Sequence, residues 1–338
     1  MRRVIYLVAI IHLVFKMNAQ QDAQFSQNMF ITAPVNPGAS GIKGMHCFDL
    51  VARQQWIGFE GKPETGLISY NGPILSNFGI GGVLVYDIAG MEQNINLKLN
   101  GARHFSIGSN GGKLGIGLDL GVIQKGFRNI PPKAYDANDP TINGISGTSD
   151  MVFDVGFGIF YYKPKSLYFG VSGQKLLPQT LSLNLAKPNL RQHAYITTGY
   201  FHDAGNGLVL KPNMLVKTDL TSHQIDVNLT AEFNNRIWIG GSYRVQDAIV
   251  ANIGFKTQKT KNSQPLKIGF AYDFTTQGLK NKGTFTSWDE NGKVAETKEN
   301  NRSIGGVELY IGYCIIPLRL QRILGYMLIH FSCKAKKE

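Results

Sequence analysis

Acidic side chains recur at alternate positions within apolar stretches, and they are the residues of this sequence best suited to chemistry. Asp119 lies within the alternating run of residues 114–122, and Asp226 and Glu232 lie within that of residues 223–233. Side chains that alternate along a strand face opposite sides of a sheet, so these carboxylates share the face away from the apolar residues. Six positions are predicted to line such a polar face: Asp119, Asp154, Asp226, Glu232, Asp273 and Glu308. We interpret this face as a hydrated lumen or as a site that receives a basic partner segment.

Short motifs that carry catalysis or bind nucleotides and metals do not occur in the sequence. It contains no GxSxG elbow, HExxH helix, P-loop or EF-hand loop. The glycine run of residues 79–82 leads into the apolar residues 83–86 rather than into a helix, which favours a strand over a nucleotide-binding turn. The histidines His104, His193, His202 and His223 are not spaced like the ligands of a metal site. The sequence therefore predicts no catalytic, cofactor or metal site.

The first residues of the chain have the three parts of a secretory signal peptide. Arg2 and Arg3 are basic, residues 4–15 are apolar, and residues 17–19 form a suitable cleavage site. A membrane anchor is the alternative. It is disfavoured because His12 interrupts an apolar stretch that is already shorter than the ~20 residues of a spanning helix. Residues 1–19 are therefore predicted to be removed during export.

The basic net charge of the chain bears on the class of partner that it could bind. Lys and Arg number 35 against 23 Asp and Glu, which gives a formal net charge of +12. Because these cations are dispersed and the chain is predicted to be exported, nucleic acid is not expected as a partner.

The cysteines Cys47, Cys314 and Cys333 are widely spaced and form no CxxC group. They predict neither a disulfide framework nor a metal site.

Apolar and polar residues alternate with a period of two along most of the remaining chain, which predicts β-strands. Residues 153–161 and 266–274 show the pattern clearly. About 14 such stretches occur, one of them over residues 190–203, and their lengths approach the 9–11 residues of a tilted strand that crosses a bilayer. After the signal, no apolar run approaches the ~18 residues of a membrane-spanning helix.

The lengths of the connections separate a membrane barrel from a soluble sandwich, which would show the same alternation. The three longest gaps, about residues 125–149, 176–189 and 276–303, all follow odd-numbered strands and therefore fall on one side. Short links such as Lys163-Pro164 and Asn234-Asn235 fall on the other. Outer-membrane barrels divide their loops in this way. The predicted fold is all-β, a transmembrane antiparallel up-and-down β-barrel of about 14 strands.

Several specific segments follow one another along the chain. Near the N-terminus they are residues 24–30, Asn36-Pro37-Gly38 and residues 53–61, and later residues 112–118, 210–213, 238–248 and 268–273. In this order they resemble the PorP/SprF family over roughly residues 20–315. The family-motif positions are Phe25, Asn36, Pro37, Arg53, Trp56, Gly58, Phe59 and Gly61. Gly38 departs from the more usual Asn-Pro-Ala of the family.

This resemblance implies an outer-membrane barrel of the type IX secretion and gliding machinery of Bacteroidota. Its expected partners are outer-membrane lipid, the C-terminal domain of a large secreted adhesin, and periplasmic ring subunits of the type IX system. An enzyme is not predicted. Two alternatives stay open, namely a passive porin-like channel and a soluble secreted β-protein.

The expected organisation follows from the signal, the strands and the resemblance. Residues 1–19 are the signal peptide, residues 20–44 an N-terminal segment in the periplasm or the lumen, and residues 45–315 the barrel. Residues 316–338 form an apolar and basic tail without the period of two. This tail is interpreted either as an atypical C-terminus or as a partner-binding segment.

Overall fold

The computed structural model describes most of the chain between its two ends. The described residues are 22–59, 61–128, 147–183, 187, 189–258, 264–276, 285–288, 294–297 and 305–317. The predicted signal peptide and all but two residues of the predicted tail lie outside them. Among the described residues, no helix is long and apolar enough to span a membrane. Their secondary structure consists of strands and one 3-10 turn at Pro37–Ala39.

The strands alternate regularly with turns along the chain. They are β1 (His46–Gln54), β2 (Glu64–Leu75), β3 (Phe78–Ala89), β4 (Glu92–Ile107), β5 (Gly112–Phe127), β6 (Ser149–Lys163), β7 (Leu167–Gln174), β8 (Gln179–Thr180), β9 (Asn189–Leu190), β10 (His193–Tyr200), β11 (His202–Gly205), β12 (Leu208–Thr218), β13 (His223–Phe233), β14 (Ile237–Arg244), β15 (Ala248–Lys256), β16 (Lys267–Thr275), β17 (Phe285–Trp288), β18 (Val294–Thr297) and β19 (Gly306–Ile315).

The main sheet closes on itself as a 14-stranded antiparallel barrel, which confirms the predicted fold class. β1 pairs with β19, and β10 pairs with β12, so neither side of the sheet is left as an edge. The predicted strand over residues 190–203 is divided into β10 and β11. The break lies at Phe201, whose backbone amide donates to the carbonyl of Ser166 at 2.7 Å. The short pairs β8–β9 and β17–β18 form separate sheets.

The three longest connections all lie at one end of the barrel, as the sequence predicts. We call one end of the barrel the long-loop end, because residues 128–148, 175–192 and 276–305 connect strands there. The opposite end is the short-turn end, with turns at residues 76–77, 164–166 and 206–207. β1 starts and β19 finishes at the short-turn end. An even number of strands produces this arrangement.

The outside of the barrel is apolar, and the inside carries the polar residues. On β13, Val227 is 48% exposed and Leu229 is 53% exposed, whereas Asn228 between them is only 3% exposed. The same alternation places Leu118 and Leu120 outside and Asp119 inside on β5. Exposed aliphatic and aromatic side chains over a whole barrel wall indicate a surface that contacts lipid rather than water.

The prediction for the cysteines is wrong for two of the three. Cys47 on β1 and Cys314 on β19 form a disulfide, with a Cα–Cα distance of 4.1 Å. The two residues are 267 positions apart in the sequence but are direct partners in the β1–β19 ladder. Spacing along the chain could not indicate the bond, because barrel closure alone brings the first and last strands together. Cys333 lies outside the described residues.

Candidate functional site

The barrel lumen is occupied by the chain's own N-terminal segment, residues 22–45. Asp22 contacts residues of the long-loop end, and Ile42 lies near Lys113 at the short-turn end, so the segment runs along the lumen before β1 begins. Its described residues are largely buried, including Ser26, Gln27 and Ile31. The candidate site is therefore this lumen together with the segment that fills it.

At the long-loop end, the segment is held through Asp22. Its carboxylate forms an ion pair with Lys175 and accepts a 2.7 Å hydrogen bond from the hydroxyl of Tyr195. Its carbonyl accepts from Lys217 at 2.9 Å, and the ring of His193 lies 3.7 Å from the carboxylate. Burial opposes the ionisation of Asp22, but the charges of Lys175, His193 and Lys217 outweigh it and hold the pKa well below its usual range. Asp22 thus anchors the segment as a carboxylate.

Deeper in the lumen, two predicted carboxylates bind the N-terminal segment. Glu308 accepts from the amides of Ser26 and Gln27 at 2.6 and 2.7 Å, and Asp273 accepts from the hydroxyl of Ser26 at 2.6 Å. Arg53 bridges the two sides, because its guanidinium pairs with Asp273 and donates to the carbonyl of Gln24. Charge-assisted hydrogen bonds of this kind are about twice as strong as neutral ones.

Arg244 and Asp226 extend the same network. The Arg244 guanidinium lies 3.3 Å from Asp226 and 3.5 Å from Asp273, and it donates to the Ser26 hydroxyl at 3.4 Å. Asp226 also accepts a 3.4 Å hydrogen bond from the side chain of Asn28. Removing one member would leave the buried charges of the network unbalanced, which is destabilising.

The middle of the lumen contains a second ion cluster. Lys98 lies 2.8 Å from Asp154 and 4.0 Å from Asp119, and it donates to the side chain of Gln174 at 2.9 Å. Gln174 in turn donates to the carbonyl of Pro34 at 2.8 Å. The cluster therefore connects the four neighbouring strands β4 to β7 with the N-terminal segment.

The turn at Asn36 is seated against glycines of the barrel wall. The Asn36 side chain donates to the carbonyls of Ile159 and Val171 at 3.0 and 3.1 Å, and it accepts from the amide of Gly38 at 2.9 Å. A Cβ on Gly117 would lie 2.5 Å from the Pro37 carbonyl carbon, so only glycine admits the segment this closely. The glycines on the inward face of β5, Gly115 and Gly117, therefore allow the N-terminal segment to pack directly against this strand.

Aromatic packing completes the contact between the N-terminal segment and the barrel wall. Phe30 stacks on Tyr310 with ring centroids 5.0 Å apart and meets the fully buried Trp238 edge-on at 5.1 Å. Ile31 joins a buried cluster with Val51 and Leu67. Aromatic pairs in such arrangements contribute ~0.5–1.5 kcal/mol beyond the area they bury.

All six predicted carboxylates face the interior and are buried. Glu232 pairs with Lys211 and, at 2.7 Å, with Lys256, and the other five belong to the two clusters described above. The sequence indicates the carboxylates but not their partners. Partners that the sequence did not assign to the site include Arg244, Lys98, Ser26 and Gln27. All of them except Lys98 lie in the segments 24–30 and 238–248 that carry the family resemblance.

The family-motif positions divide into two groups. Phe25, Asn36, Pro37 and Arg53 lie in the N-terminal segment or face it. Trp56, Gly58, Phe59 and Gly61 lie in the connection between β1 and β2 at the long-loop end, where Trp56 is 38% exposed. Among the described residues, no group of three His, Cys, Asp or Glu side chains is arranged to hold a metal ion.

The model of the type IX secretion system membrane protein PorP/SprF family matches residues 17–288, most of the chain. The chain belongs to the PorP/SprF family. As a member, it is a β-barrel membrane protein of the type IX secretion system, and it is located in the outer membrane. Because outer-membrane barrels keep their short turns in the periplasm, we expect the short-turn end of this PorP/SprF protein to face the periplasm.

Solved barrels of other families are similar to this chain at low sequence identity. The P. putida toluene transporter TodX is 9% identical, with a TM-score of 0.47, covering 84% of this chain and 93% of its own. The monoaromatic hydrocarbon channel CymD is 11% identical, with a TM-score of 0.49, covering 86% and 92%. A Pseudomonas aeruginosa FadL homologue is 12% identical, with a TM-score of 0.40, covering 80% and 89%. Comparison with curated protein sequences finds no match.

Proposed function

We propose that this protein is a non-enzymatic component of the type IX secretion and gliding machinery. It holds or helps to export a large adhesin through the C-terminal domain of that adhesin, or it links the outer membrane to periplasmic ring subunits. The occupied lumen supports this proposal, because a barrel filled by its own chain is suited to holding a partner at its ends. In this proposal residues 1–19 are removed on export, residues 20–44 close the lumen and residues 45–315 form the barrel.

The six inward carboxylates have a structural role in this proposal. Asp226, Asp273 and Glu308 already bind Ser26, Gln27 and Asn28 of the N-terminal segment, and Asp119, Asp154 and Glu232 are neutralised by lysines. They therefore hold the lumen closed, and a partner is bound elsewhere on the barrel.

A passive porin-like channel is the competing function, and conductance in planar lipid bilayers distinguishes the two. We expect the purified full-length protein to conduct little. Gly117→Val should raise the conductance, because the added side chain occupies the space of Pro37 and displaces the N-terminal segment. Gly82→Val is the matched control, since Gly82 faces outward and the nearest atom to its Cβ position is 3.9 Å away. Steady open-pore conductance by the unmodified protein would instead establish the channel.

The secretion function is tested in cells. Deletion of the gene should lower the amount of the cognate adhesin at the cell surface, and a plasmid copy should restore it. Normal surface adhesin and normal gliding in the deletion strain would contradict the proposal. In the complemented strain, heat-modifiable migration in gels confirms that the barrel has folded.

A further inference from the structure

Charge is distributed unequally between the two ends of the barrel. At the long-loop end and in the middle, most inward cations are paired with carboxylates, as Lys175 is with Asp22 and Lys98 is with Asp154. Lys125 is likewise 3.0 Å from Glu92. The short-turn end lacks this balance, since Lys43, Lys211, Lys256 and Lys267 have only one directly paired carboxylate among them, Glu232.

The four lysines, Lys43, Lys211, Lys256 and Lys267, form what we call the lysine quartet. Glu232 pairs with Lys211 and Lys256, whereas Lys43 and Lys267 have no carboxylate within 4.0 Å among the described residues. The Lys267 ammonium instead lies 5.6 Å from the ring centroid of Phe30, a cation–π position. The quartet therefore places four amino groups near only two carboxylates, Glu232 and Asp49, among the described residues.

The quartet is packed closely enough for its members to act on one another. Burial lowers the pKa of Lys43, the charge of Asp49 opposes this, and the nearby Lys211 lowers the pKa further. An anion that entered between these ammonium groups would relieve the repulsion. The cluster therefore favours a ligand that brings several negative charges.

The short-turn end also offers space and a positive rim. A Cβ built on Gly44, next to Lys43, would meet no atom within 4 Å. The Lys211 side chain is 21% exposed, and Lys165 and Arg236 are exposed in the neighbouring turns. A lumen mouth lined by one sign of charge concentrates ligands of the opposite sign.

We propose that the lysine quartet and its rim bind an acidic peptide segment of a periplasmic partner. The quartet side chains face the lumen, away from the lipid-contacting wall, so a peptide can reach them from the periplasm more directly than a lipid headgroup can. Several Asp or Glu carboxylates on an extended peptide match ammonium groups spread across the mouth. This deepens the proposed function by giving the charge of the partner, and it rests on that function only for the existence of a periplasmic partner.

The experiment is a titration of the detergent-solubilised full-length protein with a fluorescein-labelled deca-glutamate peptide, with deca-glutamine as the uncharged probe. We expect saturable binding of deca-glutamate that weakens as NaCl rises from about 50 to about 300 mM, because salt screens the interaction. Lys43→Gln with Lys267→Gln should weaken binding by about tenfold or more. This double variant leaves the Glu232 pairs in place, so the barrel should still fold.

Two further variants keep the interpretation unambiguous. Lys62→Gln with Lys187→Gln removes the same charge at the long-loop end and should leave binding unchanged. Lys165→Gln with Arg236→Gln alters only the two exposed rim positions and should weaken binding without affecting the core, in case the quartet variant fails to fold.

Three results would overturn the inference. The first is that deca-glutamate shows no saturable binding. The second is that the Lys62→Gln, Lys187→Gln control loses as much affinity for deca-glutamate as the quartet variant does. The third is that the quartet is needed for binding to phosphatidylglycerol nanodiscs and not for binding to the peptide. None of them bears on surface display of the adhesin, so failure here is distinguishable from failure of the proposed function.

Discussion

Asp219 illustrates chemistry at the scale of a single residue. It lies in the turn between β12 and β13, where its carboxylate accepts from the amides of Thr221 and Ser222 at 3.0 and 2.6 Å and from both hydroxyls at 2.9 Å. Burial raises its pKa, but these hydrogen bonds outweigh burial and lower the pKa to about 2. A carboxylate held in this way closes the turn at the long-loop end.

The stability contributed by Asp219 should depend on pH. Since its pKa is depressed in the folded state, the contribution is complete above the unfolded value of ~3.9 and is lost as the pH falls toward about 2. Asp219→Asn should lower the free energy of unfolding at pH 7 by ~1–3 kcal/mol. Guanidinium unfolding in lipid vesicles measures this.

The matched control for this prediction is Asp203→Asn. Asp203 accepts only one described hydrogen bond, from the amide of Gly205 at 3.0 Å, and the residue is exposed. Its replacement should change stability less than that of Asp219. An Asp219→Asn deficit that persists undiminished at pH 2 would contradict the electrostatic account.

At the scale of an element, β13 shows how one strand serves two environments. Its outward residues contact lipid, while Asn228 and Thr230 form hydrogen bonds inside, with Asn228 donating to Ser242 at 2.6 Å. Leu229→Arg is expected to cost ~2–4 kcal/mol, because it places a charge near the middle of the bilayer. Folding equilibria in lipid vesicles give this value.

Position along the same face provides the control for β13. Phe233 also faces outward but is the last residue of the strand, near the short-turn end. Phe233→Arg should therefore cost only ~0–1 kcal/mol, since the penalty declines toward the membrane interface. Equal costs at the two positions would be inconsistent with β13 crossing the bilayer.

At the scale of the whole molecule, the Cys47–Cys314 disulfide fastens the seam between the first and the last strand of the barrel. A bond that closes most of the chain into a loop restricts the unfolded state strongly. Cys47→Ser should therefore reduce stability by roughly 2–5 kcal/mol and lower the temperature at which the folded band disappears in gels. Cys333→Ser is the control and should leave that temperature unchanged. If dithiothreitol fails to lower it in the unmodified protein, the seam is stable without the bond.

The alternation of apolar and polar residues, together with the lengths of the connections, was sufficient to predict a barrel of about 14 strands with its longest connections on one side. The alternation also assigned six carboxylates to the polar face, and in the structure they are buried: Asp119, Asp154, Asp226, Glu232, Asp273 and Glu308. These features depend on the period of two and on local turn chemistry, both of which are written in neighbouring residues. Strand existence was therefore predictable from the chain alone.

Three features depend on the tertiary structure instead: the disulfide, the ion clusters and the occupied lumen. Asp22 meets Lys175, Ser26 meets Glu308 and Cys47 meets Cys314 only because closure of the sheet brings distant strands around one axis. Pairings across 150 or more residues leave no periodic trace in a single sequence. The N-terminal segment has no strand period of its own, so its position was decided by the glycine seat and the buried charges that only the folded barrel assembles.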